Sequence, residues 1–126
     1  MHFIDYFERS AVLWPDNPCL HDGHDLCLTY AETRDLMWRT IGGIRAAGLP
    51  GHASVAILSP NDVHAYVCVL AAERSGNPRL QLNIRDTPPQ IAAVLRHNDA
   101  LLIFYHSSQN DLVAALKPLL PEVKHW

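Results

Sequence analysis

Cys19, His21, His24 and Cys27 crowd into one short stretch, and all four are zinc-ligand types. The stretch also reads as a hairpin, with Asp22-Gly23-His24-Asp25 as its turn. A two-residue Gly23-His24 turn pairs Asp22 with Asp25 and Leu20 with Cys27. Strand side chains alternate, so this register sends Cys19 and His21 to one face and Cys27 to the other. Four ligands then cannot converge, and no metal site is expected. Phosphate binding fares no better. Gly43 and Gly48 have the spacing of a phosphate loop, but Leu49-Pro50 stand where a Lys and a Ser or Thr are needed. No G-x-G-x-x-G occurs. Cys68 sits in an apolar run and reads as a buried, inert thiol. His106, Ser107, Ser108 and Asp111 are triad residue types without a nucleophile elbow; capping of the next helix is the simpler role. The carboxylates are scattered over turns and helix surfaces. No catalytic residue is assigned.

The elements that would position such residues are legible. Phe3, Phe7, Ser10 or Ala11, and Trp14 predict one face of a helix, which Pro15-Asp16-Asn17-Pro18 ends. Cys19–Asp22 and Asp25–Leu28 predict the two hairpin strands. Thr29-Tyr30-Ala31-Glu32 is a capping box that opens a helix to about Ala47, closed by Gly48. Ala53–Leu58 reads as a buried strand. A helix then runs from the Ser59-Pro60-Asn61-Asp62 break to Ser75 and Gly76. Arg79–Leu82 is a strand. Thr87-Pro88-Pro89-Gln90 starts a helix that ends near His97-Asn98. Leu101–Tyr105 is a strand, Gln109–Leu120 a helix, and Val123–Trp126 the start of a further strand. Strands alternating with helices from Ala53 onward imply parallel pairing with right-handed crossovers. The fold class is therefore α/β, a partial parallel sheet with crossover helices, preceded by a helix and a short β-hairpin.

Composition bounds the function. The chain has 126 residues, 48% hydrophobic and 18% charged, which suits one domain with a real core and excludes disorder or a coiled coil. A net charge of −3 gives no basic footprint for nucleic acid. The apolar run Ala65–Ala72 is too short for a membrane span, and no signal peptide opens the chain. Three cysteines argue against a disulfide framework, so a reduced, cytoplasmic protein is expected. The Asn61–Ser75 helix is apolar nearly all round, as in a helix enclosed by a larger body.

In order along the chain, Trp14-Pro15-Asp16-Asn17-Pro18, Leu28-Thr29-Tyr30-Ala31-Glu32, Val55-Ala56-Ile57-Leu58-Ser59-Pro60-Asn61, Ala71-Ala72-Glu73-Arg74-Ser75-Gly76 and Leu82-Asn83 resemble the N-terminal end of the adenylate-forming enzymes. That superfamily holds acyl-CoA synthetases, peptide-synthetase adenylation domains and luciferases. Two departures stand out. Asn77-Pro78-Arg79-Leu80-Gln81 replaces the small residues and Pro usual there, and Asn83-Ile84-Arg85 replaces Asn-Pro-Arg.

The resemblance implies that residues 1–126 form a single N-terminal subdomain of a larger enzyme, a scaffold that is inactive alone. It implies ATP, Mg²⁺ and CoA as the parent's cofactors, a carboxylic acid as its substrate, and an acyl-adenylate intermediate on the way to a thioester. The phosphate loop and the catalytic Lys of the family lie outside this segment. Arg85 is the one candidate ligand residue, facing the CoA nucleotide. The apolar helix and an unpaired edge at Val123–Trp126 imply self-association near Tyr66 or Val69. A free-standing small α/β binding module is the alternative.

Overall fold

The computed structural model describes residues 1–126. A helix, α1 (Phe3–Leu13), leads into a hairpin of β1 (Pro18–His21) and β2 (Cys27–Thr29). Then follow α2 (Tyr30–Ala46), β3 (Ser54–Leu58), α3 (Val63–Ser75), β4 (Arg79–Gln81), α4 (Pro88–His97), β5 (Ala100–Tyr105) and α5 (Asn110–Leu116). Single 3₁₀ turns, Ser107–Gln109 and Lys117–Leu119, flank α5. The sheet order is β4-β3-β5, all parallel. This is the α/β architecture read from the sequence.

All five residues of β3 are buried, which is why it takes the centre of the sheet. Ala56, Leu58 and Ile103 face α4 and α5, packing with Ile91, Leu95 and Leu116. Val55 and Leu102 point the other way, onto Ile4 of α1, Met37 and Ile41 of α2, and Leu70 of α3. The period-2 alternation of the strands thus divides one core into two layers, each closed by helices. Local chemistry fixes the helix starts. Thr29 with Glu32, and Thr87 with Gln90, form reciprocal capping boxes on α2 and α4. Asp62 caps α3 by accepting from the amides of His64 and Ala65 at 2.8 and 3.2 Å.

Four expectations need correction. The buried face of α1 is Ile4 and Ala11 with Phe7 half-buried, while Phe3 and Trp14 are exposed. Glu8, on the same face as Ile4 and Ala11, reaches Arg34 of α2 at 2.6 Å and Arg74 of α3 at 3.6 Å. In the hairpin, His21 pairs with Cys27 and Leu20 with Leu28. The turn is wider than two residues because the Asp22 carboxylate accepts from the amides of His24 and Leu26, and Gly23 takes φ 84°. Cys27 therefore lies opposite His21, not Leu20, and the face argument made from the sequence fails. The expected final strand is a single parallel bridge, His125 to Leu102, since Trp126 donates its indole N–H back to Val123 and Lys124 bonds Pro121. The expected Gln109–Leu120 helix tightens to 3₁₀ at both ends, where Pro118 sits in the last turn.

Candidate functional site

The chain leaves β3 for α3 on one face of the sheet and leaves β5 for α5 on the other. Adjacent parallel strands whose connections diverge in this way open a crevice at their carboxyl ends, the usual place for a ligand in an open α/β sheet. A cavity of about 250 Å³ occupies it. Its wall is apolar: Ile57 of β3, Ala65 and Cys68 of α3, and Phe104 of β5. Its rim is polar, with Asp62 and His64 from the start of α3 and His106 and Ser107 from the end of β5.

Asp62 is the centre of the rim. Its Oδ2 is committed to the α3 cap and lies 3.7 Å from His64 Nδ1. Its Oδ1 faces His106 Nε2 at 4.0 Å. On the far side of its ring, His106 Nδ1 accepts the Ser108 amide at 3.1 Å and lies 2.7 Å from the Ser108 hydroxyl. The neutral ring therefore carries its proton on Nε2, toward Asp62. The Ser108 hydroxyl oxygen in turn accepts from Gln109 Nε2 at 3.1 Å. Cys68 adds no nucleophile: burial, and then the charge of Asp62, push its thiol up to about 11.

Of the triad residue types noted in the sequence, His106 and Ser108 meet, and Asp111 does not join them. Asp62 takes the place facing the ring. Sequence reading saw this residue only as part of a helix start and passed over His64. The signal available was positional, since both follow the carboxyl end of the central strand. Arg85 lies in the turn after β4, at the same end of the sheet. It is exposed, its amide bonds Asn83 Oδ1 at 3.0 Å, and its guanidinium has no partner in the chain. In the hairpin, His21 Nδ1 accepts the Gly23 amide at 3.0 Å. No three His, Cys, Asp or Glu side chains come together in an arrangement that could hold a metal ion.

The family model described as AMP-binding enzyme matches residues 7–125. The chain belongs to the AMP-binding enzyme family. A long-chain-fatty-acid–CoA ligase of Thermus thermophilus is 30% identical over 129 residues, covering 100% of this chain and 24% of that protein. A 4-coumarate–CoA ligase 5 of Oryza sativa subsp. japonica is 33% identical over 101 residues, covering 79% of this chain and 19% of that protein. The chain thus spans a quarter or less of the length of these curated relatives. Among solved structures, the N-terminal domain of FACL13 from Mycobacterium tuberculosis superposes with a TM-score of 0.89 at 21% identity, over 100% of this chain and 33% of that one. The anthranilate CoA ligase AuaEII, solved with anthranoyl-AMP, gives a TM-score of 0.89 at 17% identity, over 97% of this chain and 23% of that one. These superpositions establish the AMP-binding enzyme fold for the segment.

The helix starts of α2, α3 and α4 do not offer a phosphate its usual seat. A phosphate seeks free amides at a helix start. Here the start of α3 is filled by the Asp62 carboxylate, and those of α2 and α4 by their own capping boxes. Pro88 and Pro89 further remove two amides from α4. No helix is long and apolar enough to cross a membrane.

Proposed function

We propose that residues 1–126 are the N-terminal scaffold subdomain of an ATP-dependent acid–thiol ligase. In that reaction a carboxylate attacks the α-phosphorus of ATP, forming an acyl-adenylate and releasing pyrophosphate. A thiol, that of CoA, then displaces AMP to leave a thioester. The observation that carries the reading is the match of the AMP-binding enzyme model across residues 7–125. The CoA ligases among the relatives support the thiol half of it. The capped helix starts of α2, α3 and α4 support the assignment of the ATP phosphates to segments other than these. The acid is an aliphatic or aryl carboxylate; the Thermus relative supports a role in fatty acid metabolism. Three free thiols support a cytoplasmic setting.

Acid-dependent exchange of labelled pyrophosphate into ATP tests this. The full-length protein is expected to catalyse it with fatty or aryl acids, and the 126-residue chain alone is expected not to. Failure of the full-length protein with every such acid sinks the ligase. Exchange by the short chain sinks the scaffold assignment.

Within this reading Arg85 contacts the CoA nucleotide. Its unpartnered guanidinium at the carboxyl end of the sheet supports that role. In the full-length enzyme Arg85→Ala is expected to raise the KM for CoA about tenfold and leave adenylate formation unchanged. An unchanged KM for CoA would return Arg85 to the ordinary surface.

A further inference from the structure

Two polar atoms on the crevice rim face each other without touching. Asp62 Oδ1 makes no hydrogen bond in the chain, and His106 Nε2 lies 4.0 Å away, beyond hydrogen-bond reach. Because the Ser108 amide occupies His106 Nδ1, the Nε2 side is a donor. Asp62 is an acceptor. A group that bridges them must accept from one and donate to the other. A hydroxyl oxygen about 2.8 Å from each does both. A carbonyl or ether cannot donate to Asp62, an ammonium cannot accept from Nε2, and a carboxylate is repelled by Asp62.

Below the gap lies the apolar wall of Ile57, Ala65, Cys68 and Phe104. The cavity, at about 250 Å³, has room for a ring; an apolar cavity of roughly 150 Å³ holds benzene in another protein. We propose that the crevice between the ends of β3 and β5 binds a small neutral phenol or alcohol, with its hydroxyl between Asp62 and His106 and its carbon body against Phe104 and Cys68.

The test is a titration of the full 126-residue chain at pH 7 with 4-methylphenol and, in parallel, toluene, followed by amide chemical shifts. The phenol stays neutral at this pH. Shifts are expected at Ala65, Cys68, Phe104 and His106, with 4-methylphenol binding about tenfold more tightly than toluene. Two variants separate recognition from folding. Asp62→Asn keeps an oxygen for the α3 cap and presents a donor where the hydroxyl needs an acceptor. His106→Asn keeps an acceptor for the Ser108 amide and removes the Nε2 donor. Both are expected to retain the wild-type circular dichroism and to lose the tenfold preference. The proposal is overturned if neither compound binds, if the two bind equally to the wild-type chain, or if either variant keeps the full preference.

Discussion

Cys68 shows how far position outweighs residue type. It lines a cavity and neighbours a carboxylate, yet burial keeps its proton in place to about pH 11, from an ordinary 9.0. Cys27 is exposed. Iodoacetamide at pH 8 is therefore expected to label Cys27 and spare Cys68 in the folded chain, with both labelled in urea; peptide mass mapping reads this out. The same shift has a consequence for stability. Between about pH 9 and 11 the unfolded chain gives up the Cys68 proton while the folded chain keeps it, so stability falls as pH rises across that window. Urea unfolding of Cys68→Ala beside the wild type should show a shallower decline there. The inert character of Cys68 was legible in the sequence because its neighbours, Val67 and Val69, are apolar. The register of Cys27 was not, because it rests on the Asp22 carboxylate taking two amides of the turn. Gly and Asp at that turn permit more than one loop length.

The helices and strands themselves were largely readable, because each start carries its own chemistry. Thr87 accepts from the Gln90 amide and Gln90 returns the bond to the Thr87 amide at 2.9 Å. Thr87→Ala is expected to lower stability by about 1 kcal/mol, with Thr87→Ser close to wild type, as measured by urea denaturation. Gly76 closes α3 at φ 83°, a left-handed position that Gly alone adopts without strain. The face of α1 was legible only in part. Of the expected stripe Phe3, Phe7, Ser10 or Ala11, and Trp14, Ala11 is buried and Phe7 half-buried, but Ile4 takes the place expected of Phe3, and Trp14 is exposed just past the helix end. Glu8 shares that inner face, and its partners lie 26 and 66 residues away, beyond the reach of any local pattern. The crevice was equally hidden. Asp62 and His106 belong to different connections, and only the strand order places them together.

At the scale of the whole molecule, α1 is bound to the body through Ile4 and the Glu8 bridge to Arg34 and Arg74. Arg74 also stacks over Trp38 at 5.4 Å, joining α2 to α3 at the same point. Glu8→Ala removes the carboxylate that two guanidinium groups share, and is expected to cost about 1 kcal/mol. Limited proteolysis should then cut within residues 1–17 sooner than in the wild type. Large apolar side chains remain on the surface: Phe3 at 64%, Tyr6 at 61%, Trp14 at 53% and Tyr66 at 42% exposure. These support the proposed self-association of the isolated chain. Light scattering should show the mean mass rising with concentration, and Tyr66→Lys should weaken the rise. A constant monomeric mass at high concentration sinks that proposal.

The central place of β3 has a consequence for motion. Its amides bond to strands on both sides, with Val55 donating to Pro78 and Ser54 to Asp99. All five β3 residues are buried between two helix layers, so the β3 amides are expected to open only when the whole domain does. In deuterium they should exchange last, at rates set by global unfolding. The hairpin, whose two short strands pair only with each other in a separate sheet, should exchange through local opening while β3 is still protonated.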